Sequence, residues 1–345
     1  GVRLDMAPTL FGLAGGYESQ LDRAEELFRE WNGREGRIQL RLGPHAPYTC
    51  DPEQLRATAE RAGKLGCGAH IHMAESAEQV TASWERYGKS PLQVVADAGL
   101  LEVPTILAHG VFLTEEDRRL MGEIESRASS REGRHAAAPD GSAGSGREQV
   151  DNGDGVDVPT ATTRSGSVGD STCHLSMTLC PKTYQKLGTG IGQPLDDIRN
   201  WPATIGTDGA GSSNTLNPIE QARLLGLWAK ERTGSGATLP ALELWRILMR
   251  GHFVLGFGSG RLEAGAPADL ILWDLNDPAT QPVYNPVTTI LYSAHPGNVR
   301  DLWVGGRALK WNGTVQMDMA GVFQEARERV SALLQRGKGR TALLY

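Results

Sequence analysis

A chain of 345 residues, 39% hydrophobic and 22% charged, carries enough apolar material for one large α/β domain or two ordinary ones. Its net charge of −6 argues against a nucleic-acid surface, which needs clustered Lys and Arg, and favours a small-molecule partner. No apolar run approaches the roughly 20 residues that span a bilayer, and the start lacks the basic-then-apolar order of a signal peptide. The four cysteines, Cys50, Cys67, Cys173 and Cys180, show no CxxC spacing; with no membrane partner and no disulfide framework, a cytoplasmic protein is expected.

From the first residue onward, short apolar runs alternate with helical periodicity, the pattern of repeated βα units and a parallel sheet. Leu21, Ala24, Leu27, Phe28 and Trp31 recur at helical spacing until Asn32-Gly33 stops them. The run Ile38 to Leu42 ends in Gly-Pro. Asp51-Pro52-Glu53-Gln54 then joins a capping acid, a first-turn proline and a reciprocating Gln, so a helix starts there with Leu55, Ala59, Ala62 and Leu65 as its buried stripe. The run Ala69 to Met73, helices over 77–87 and 91–98, the run Thr105 to Ala108 and a helix opened by Thr114-Glu115-Glu116 continue the alternation.

Residues 128–172 contain no Leu, Ile, Phe, Met, Trp or Tyr. Such a stretch cannot build a core and reads as a disordered insertion in a barrel loop, with a linker between two separate domains as the rival reading. Beyond it come the strand Ala203 to Thr207, the Asn217-Pro218 helix start and a helix over 240–255. After Gly265 the character turns β-rich, with Ala268 to Leu275, a strand over 299–304, the turn Val304-Gly305-Gly306-Arg307 and a strand into Trp311-Asn312-Gly313. A terminal helix over about 318–336 closes the pattern.

Each apolar run of the first part ends in polar, reactive residues, as expected where chemistry sits at the C-terminal ends of barrel strands. In His70-Ile71-His72-Met73-Ala74-Glu75 the two histidines face one side of a strand and a strand-end Glu reaches the same cavity. Alone, the pair is as readily two ordinary barrel histidines as a metal ligand beside a proton shuttle. Ala108-His109-Gly110 and Gly206-Thr207-Asp208-Gly209 end two further strands. A lone His is usually a core residue and a lone Asp usually a helix cap, but three such ends in one barrel favour a metal site.

The chain resembles the amidohydrolase superfamily and, within it, the methylthioadenosine/S-adenosylhomocysteine deaminases and triazine hydrolases. The resemblance rests on Glu30-Trp31-Asn32-Gly33, Gly43-Pro44-His45-Ala46-Pro47-Tyr48, His72-Met73-Ala74-Glu75, Leu107-Ala108-His109, Lys186-Leu187-Gly188-Thr189-Gly190-Ile191 and Gly206-Thr207-Asp208-Gly209-Ala210, all in the family's order. It implies an α/β fold: a (β/α)8 TIM-type barrel, incomplete at its N-terminus, whose strands 3 to 8 occupy 1–267. It further implies the remnant of a small β-sandwich over 268–316, then a helix and tail over 317–345.

The same resemblance implies Zn2+, or another divalent ion, held by His72 and Asp208. Glu75 would shuttle protons, His109 would contact the activated water or the substrate, Asp208 would also accept the water's proton, and His45 would bind substrate. The reaction expected is hydrolysis of a non-peptide C–N bond, deaminating an aminated purine, nucleoside or related heterocycle. Two departures bear on this. Family members carry an earlier HxH on the first strand, which this chain lacks, so His70 is expected to support rather than ligate. Cys180-Pro181-Lys182-Thr183-Tyr184 stands where relatives have a His-Asn-Pro-x-Ser-Asn run. A catalytically inactive binding module is therefore the rival reading, and an incomplete barrel would expose strand edges that favour homo-oligomers.

Overall fold

Apolar runs separated by amphipathic helices become parallel strands through the first 258 residues of a computed structural model that describes residues 1–135, 174–192, 195, 198 and 203–336. In chain order the elements are β1 (Leu4–Met6), β2 (Thr9–Leu10), α1 (Tyr17–Trp31), β3 (Ile38–Leu40), β4 (Gly43–Pro44), α2 (Pro52–Leu65), β5 (Ala69–Met73), α3 (Ala77–Tyr87), α4 (Pro91–Asp97) and β6 (Thr105–His109). There follow α5 (Glu115–His135), β7 (Leu175–Leu179), α6 (Pro181–Leu187), β8 (Ala203–Ile205), α7 (Ala210–Ser213), α8 (Pro218–Thr233) and α9 (Ala241–Leu255). No helix among the described residues is long and apolar enough to cross a membrane.

Every pairing in this unit, Leu4–Gly258, is parallel. β1 pairs with β3, β2 with β4, and β5, β6, β7 and β8 form one sheet in that order. A bridge between Leu42 and Ala69 carries the ladder from the β3–β4 segment to β5, with the His70 amide donating to the Leu42 carbonyl at 2.9 Å. Sequence neighbours are thus spatial neighbours, as βα repeats require. β6 is buried along its whole length, and Ala69, Ile71, Met73, Leu107, Leu175, Met177, Leu179 and Ala203 fill the core around it. A parallel sheet covered on both faces takes continuous apolar runs of this kind.

The helix signals act as read. Asp51 accepts the Gln54 amide while the Gln54 side chain accepts the Asp51 amide, and Gly66 ends α2 with φ 66. Its buried positions are Leu55, Thr58 and Ala62, whereas Ala59 and Leu65 are only half-buried. Thr58 is admitted to the core because the Tyr17 hydroxyl bonds its side chain at 2.8 Å. α5 is longer than expected and runs through 128–135, into the stretch predicted to be unstructured. Met121 and Ile124 anchor its first part in the core, and the helix continues without needing further apolar residues because Arg, Ser and Glu tolerate helical backbone. The rest of the expected insertion, 136–172, lies outside the described residues.

Gly43 shows why the strand that delivers His45 carries a glycine. A Cβ there would lie 2.7 Å from the Pro8 carbonyl oxygen and 2.9 Å from that of Ala7, both backbone atoms of the neighbouring strand segment. Gly43→Ala is therefore expected to cost about 1–3 kcal/mol of stability, read as a lowered urea midpoint with an unchanged slope.

The second unit comprises Gly1–Arg3 with the chain from Ser259 onward. It holds β9 (Leu270–Trp273), α10 (Pro286–Tyr292), β10 (Val299–Val304), β11 (Arg307–Trp311), β12 (Thr314–Val315) and α11 (Met319–Arg336). The strands form an antiparallel sheet in the order β12-β11-β10-β9. Gly305 and Gly306, with φ of 56 and 76, make the tight turn between β10 and β11, where both central residues need positive φ. Arg3 pairs with Asp269 at 2.5 Å, and Asp269 accepts the Gly305 amide at 2.7 Å.

Candidate active site

β5 alternates buried Ala69, Ile71 and Met73 with half-buried His70 and His72, so both histidines share the other face of the strand. The chain then bends at Ala74, with φ 43, and Glu75 follows at the head of α3. β6 ends on His109, whose backbone lies opposite Met73 and has φ 74; after β8 the chain turns at Asp208 with φ 57. Three non-glycine residues therefore sit in the left-handed region at the ends of three parallel strands. Each costs about 1–3 kcal/mol, a cost that persists where the surrounding structure fixes a functional group.

The side chains meet. His45 and His72 rings lie 4.9 Å apart, and His72 stacks on His109 at 5.4 Å with 25° between planes. Nε2 of His109 is 3.9 Å from Oε1 of Glu75; His109 is 2% exposed and Glu75 21%. Glu75 is braced by Gln79, whose Oε1 accepts the Glu75 amide at 3.0 Å and whose Nε2 donates to Oε2 at 3.5 Å. Asp208 accepts the Gly209 amide on Oδ1 and the Ser212 hydroxyl on Oδ2, both at 2.6 Å. Its charge is felt at His109, which ties the fourth strand end to the other three. Of the five residues singled out in the sequence, His45, His72, Glu75 and His109 thus meet, and Asp208 lies within electrostatic reach of His109. Gln79, Thr49, Ser212 and Tyr184 were not singled out as site residues, although Gln79 stands at the i+4 spacing from Glu75 that lets helix neighbours meet.

The histidines differ in protonation. Nδ1 of His72 lies 2.8 Å from the His45 carbonyl, an acceptor only, so Nδ1 carries a proton and, of the two neutral tautomers, the one with the lone pair on Nε2 is selected. Nδ1 of His45 lies 2.9 Å from the Thr49 hydroxyl, whose own proton goes to the Ala46 carbonyl at 3.1 Å. That arrangement again places the ring proton on Nδ1 and leaves Nε2 as an acceptor. Burial, then His72, lowers the pKa of His45. Burial likewise lowers that of His109 against the opposing pull of Glu75. Burial works against the Asp208 carboxylate, but its bonds from Ser212 and Gly209 outweigh this and hold it below its usual range. His70 is pushed down to about 4 by burial and by His72 and Arg41, which makes it a neutral supporting ring. Cys180 is pushed up to about 12, by burial first and then by Asp208, so it stays an inert thiol.

Neutral imidazole with a free Nε2, its Nδ1–H fixed by a backbone carbonyl, is the form in which histidine ligates zinc, and an ionised carboxylate is a second ligand of the right kind. His72 and Asp208 fit a zinc ion in chemical type. In number they are short: among the described residues no group of three or more His, Cys, Asp or Glu is placed to hold a metal.

Comparisons with known proteins point the same way. Residues 6–309 match the amidohydrolase family. The chain is similar to 5-methylthioadenosine/S-adenosylhomocysteine deaminase of Moorella thermoacetica, with 30% identity over 337 residues covering 96% of this chain and 67% of that protein. It is 32% identical to the enzyme of the same name from Symbiobacterium thermophilum, covering 89% of this chain and 61% of that one. Among solved structures it resembles a zinc-bound adenosine deaminase from Xanthomonas campestris, with a TM-score of 0.77, 24% identity, and 96% and 66% of the two chains covered. It also resembles zinc-complexed atrazine chlorohydrolase from Arthrobacter aurescens, with a TM-score of 0.72, 19% identity, and 96% and 66% coverage. The structural likeness is one of fold, and the chain spans 61% to 67% of the length of these two curated relatives.

Proposed function

The chain belongs to the amidohydrolase family, and from that premise we propose that its strand-end cluster hydrolyses a C–N bond, deaminating an aminated purine nucleoside or related heterocycle. The observation that carries the reading is the meeting of His72, Glu75 and His109 from two adjacent strand ends, with Asp208 at a third strand end within electrostatic reach of His109 and two of the four in strained backbone. The names of its relatives supply the substrate class. The parallel strands are read as consecutive strands of a TIM-type barrel over 1–267, with the antiparallel strands beyond 268 as part of a small β-domain.

Zinc, when bound by His72, Asp208 and further ligands, supplies the Lewis acidity that brings the pKa of water towards about 7. Asp208 takes a proton from the attacking water at its carboxylate. Glu75, half open to the cleft, delivers a proton to the ring nitrogen next to the attacked carbon, so that carbon becomes tetrahedral. The proton held by Asp208 then passes to the amino group; the C–N bond breaks, ammonia leaves, and the carbonyl forms as the hydroxyl proton returns to Glu75. Nε2 of His45, with its Nδ1–H committed to Thr49, accepts a hydrogen bond from the substrate. His109 donates to the oxygen being transferred.

The shortage of metal ligands among the described residues favours one rival, a binding module of amidohydrolase fold without turnover. Ammonia release from 5′-methylthioadenosine, S-adenosylhomocysteine, adenosine and an aminated triazine, measured beside equilibrium binding of each, separates the two. Turnover of a purine nucleoside is expected; binding without ammonia from any of them would leave the module.

A further inference from the structure

We propose that Tyr184 is a positioning residue that donates to Nδ1 of His109 and so sets the ring proton on Nε2, making His109 a hydrogen-bond donor to the cleft and not a metal ligand. The phenol oxygen lies 2.9 Å from the Cys180 backbone nitrogen, and a backbone N–H can only donate, so this contact uses an oxygen lone pair. Its second partner is Nδ1 of His109 at 3.2 Å. Tyr184 is 1% exposed, and among the described residues these two are the contacts of its hydroxyl.

If Nδ1 of His109 carried a proton, the hydroxyl would accept twice and its own proton would be buried without a partner, which costs about 1–3 kcal/mol. Donation from the phenol to Nδ1 satisfies all three groups. Burial keeps the phenol protonated far above neutrality, so the donor is always present. The proton of the neutral ring then lies on Nε2, the atom that faces Glu75 at 3.9 Å.

His72 has the opposite arrangement, with Nδ1–H on a carbonyl and Nε2 free. Two stacked rings 5.4 Å apart are thereby set to different tasks by one partner each, a carbonyl for the ligand and a phenol for the donor. Tyr184 lies in the segment Cys180-Pro181-Lys182-Thr183-Tyr184, which follows β7 and leads into α6. The value of the donor for catalysis rests on the function proposed above; the tautomer itself does not.

The test is a long-range proton–nitrogen correlation spectrum of the full 345-residue chain labelled with 15N-histidine, with the His109 signals identified by their loss in His109→Gln. The expected spectrum shows an unprotonated Nδ1 and a protonated Nε2. In Tyr184→Phe the Nδ1 signal moves downfield as its hydrogen bond is lost, while His174 and His295 signals stay in place and report an intact fold. A protonated Nδ1 in the native chain overturns the proposal whatever the variant does, as does an Nδ1 signal unmoved in folded Tyr184→Phe. In a turning-over enzyme the same variant lowers kcat about tenfold with KM within twofold, a split that loss of packing alone would not give.

Discussion

Glu75→Gln is expected to lower kcat by about 10²- to 10⁴-fold while leaving the fold and the binding of a purine nucleoside intact. The change is close to isosteric, and the bracing by Gln79 survives because the amide oxygen of Gln accepts as the carboxylate did. What disappears is the ability to carry a proton. Glu75 is 21% exposed, so its carboxyl can reach a substrate and exchange a proton with it. Initial rates at saturating substrate, with binding measured separately, check this. A variant with native kcat removes Glu75 from the proton path and with it the proposed reaction.

Asp208→Asn is expected to lower zinc occupancy at least tenfold and to abolish turnover. Asn is as much at home at φ 57 as Asp, so the substitution leaves the strained backbone alone and isolates the charge. The native carboxylate is held ionised by the Ser212 hydroxyl and Gly209 amide, and each of those donors fills one oxygen without neutralising it. An amide in its place offers one weak oxygen ligand, and its NH2 faces one of the two donors. Metal content after dialysis against a weak chelator, compared with the native chain, reads the effect directly. Equal zinc in both proteins would take Asp208 out of the ligand set.

How much of this the sequence allowed depends on the range of the interaction. His72, Glu75 and His109 are legible because strand periodicity puts alternate residues on one face and because β5 and β6 are long enough to carry a period. β2 and β4 are two residues each, broken near Pro8 and at Gly43-Pro44 where a proline cannot donate to a ladder, so no period exists to be read. α10 begins at Asn285-Pro286 with the same cap and first-turn proline as α8 at Asn217-Pro218, yet it runs only to Tyr292, too short for its stripe to stand out. The tautomers of His72 and His109 hang on a carbonyl 27 residues away and a phenol 75 residues away, contacts that no local pattern announces. Site membership was therefore readable, whereas the proton on each ring needed the fold.

The central claim, that this strand-end cluster exchanges an amino group for the oxygen of water, is tested most directly by mass spectrometry of the product formed from 5′-methylthioadenosine by the zinc-supplemented chain in 18O-enriched water. A deaminated product carrying one heavy oxygen is expected, with one equivalent of ammonia, and none of it from Glu75→Gln. Unchanged nucleoside after incubation with a chain shown to hold zinc would contradict it.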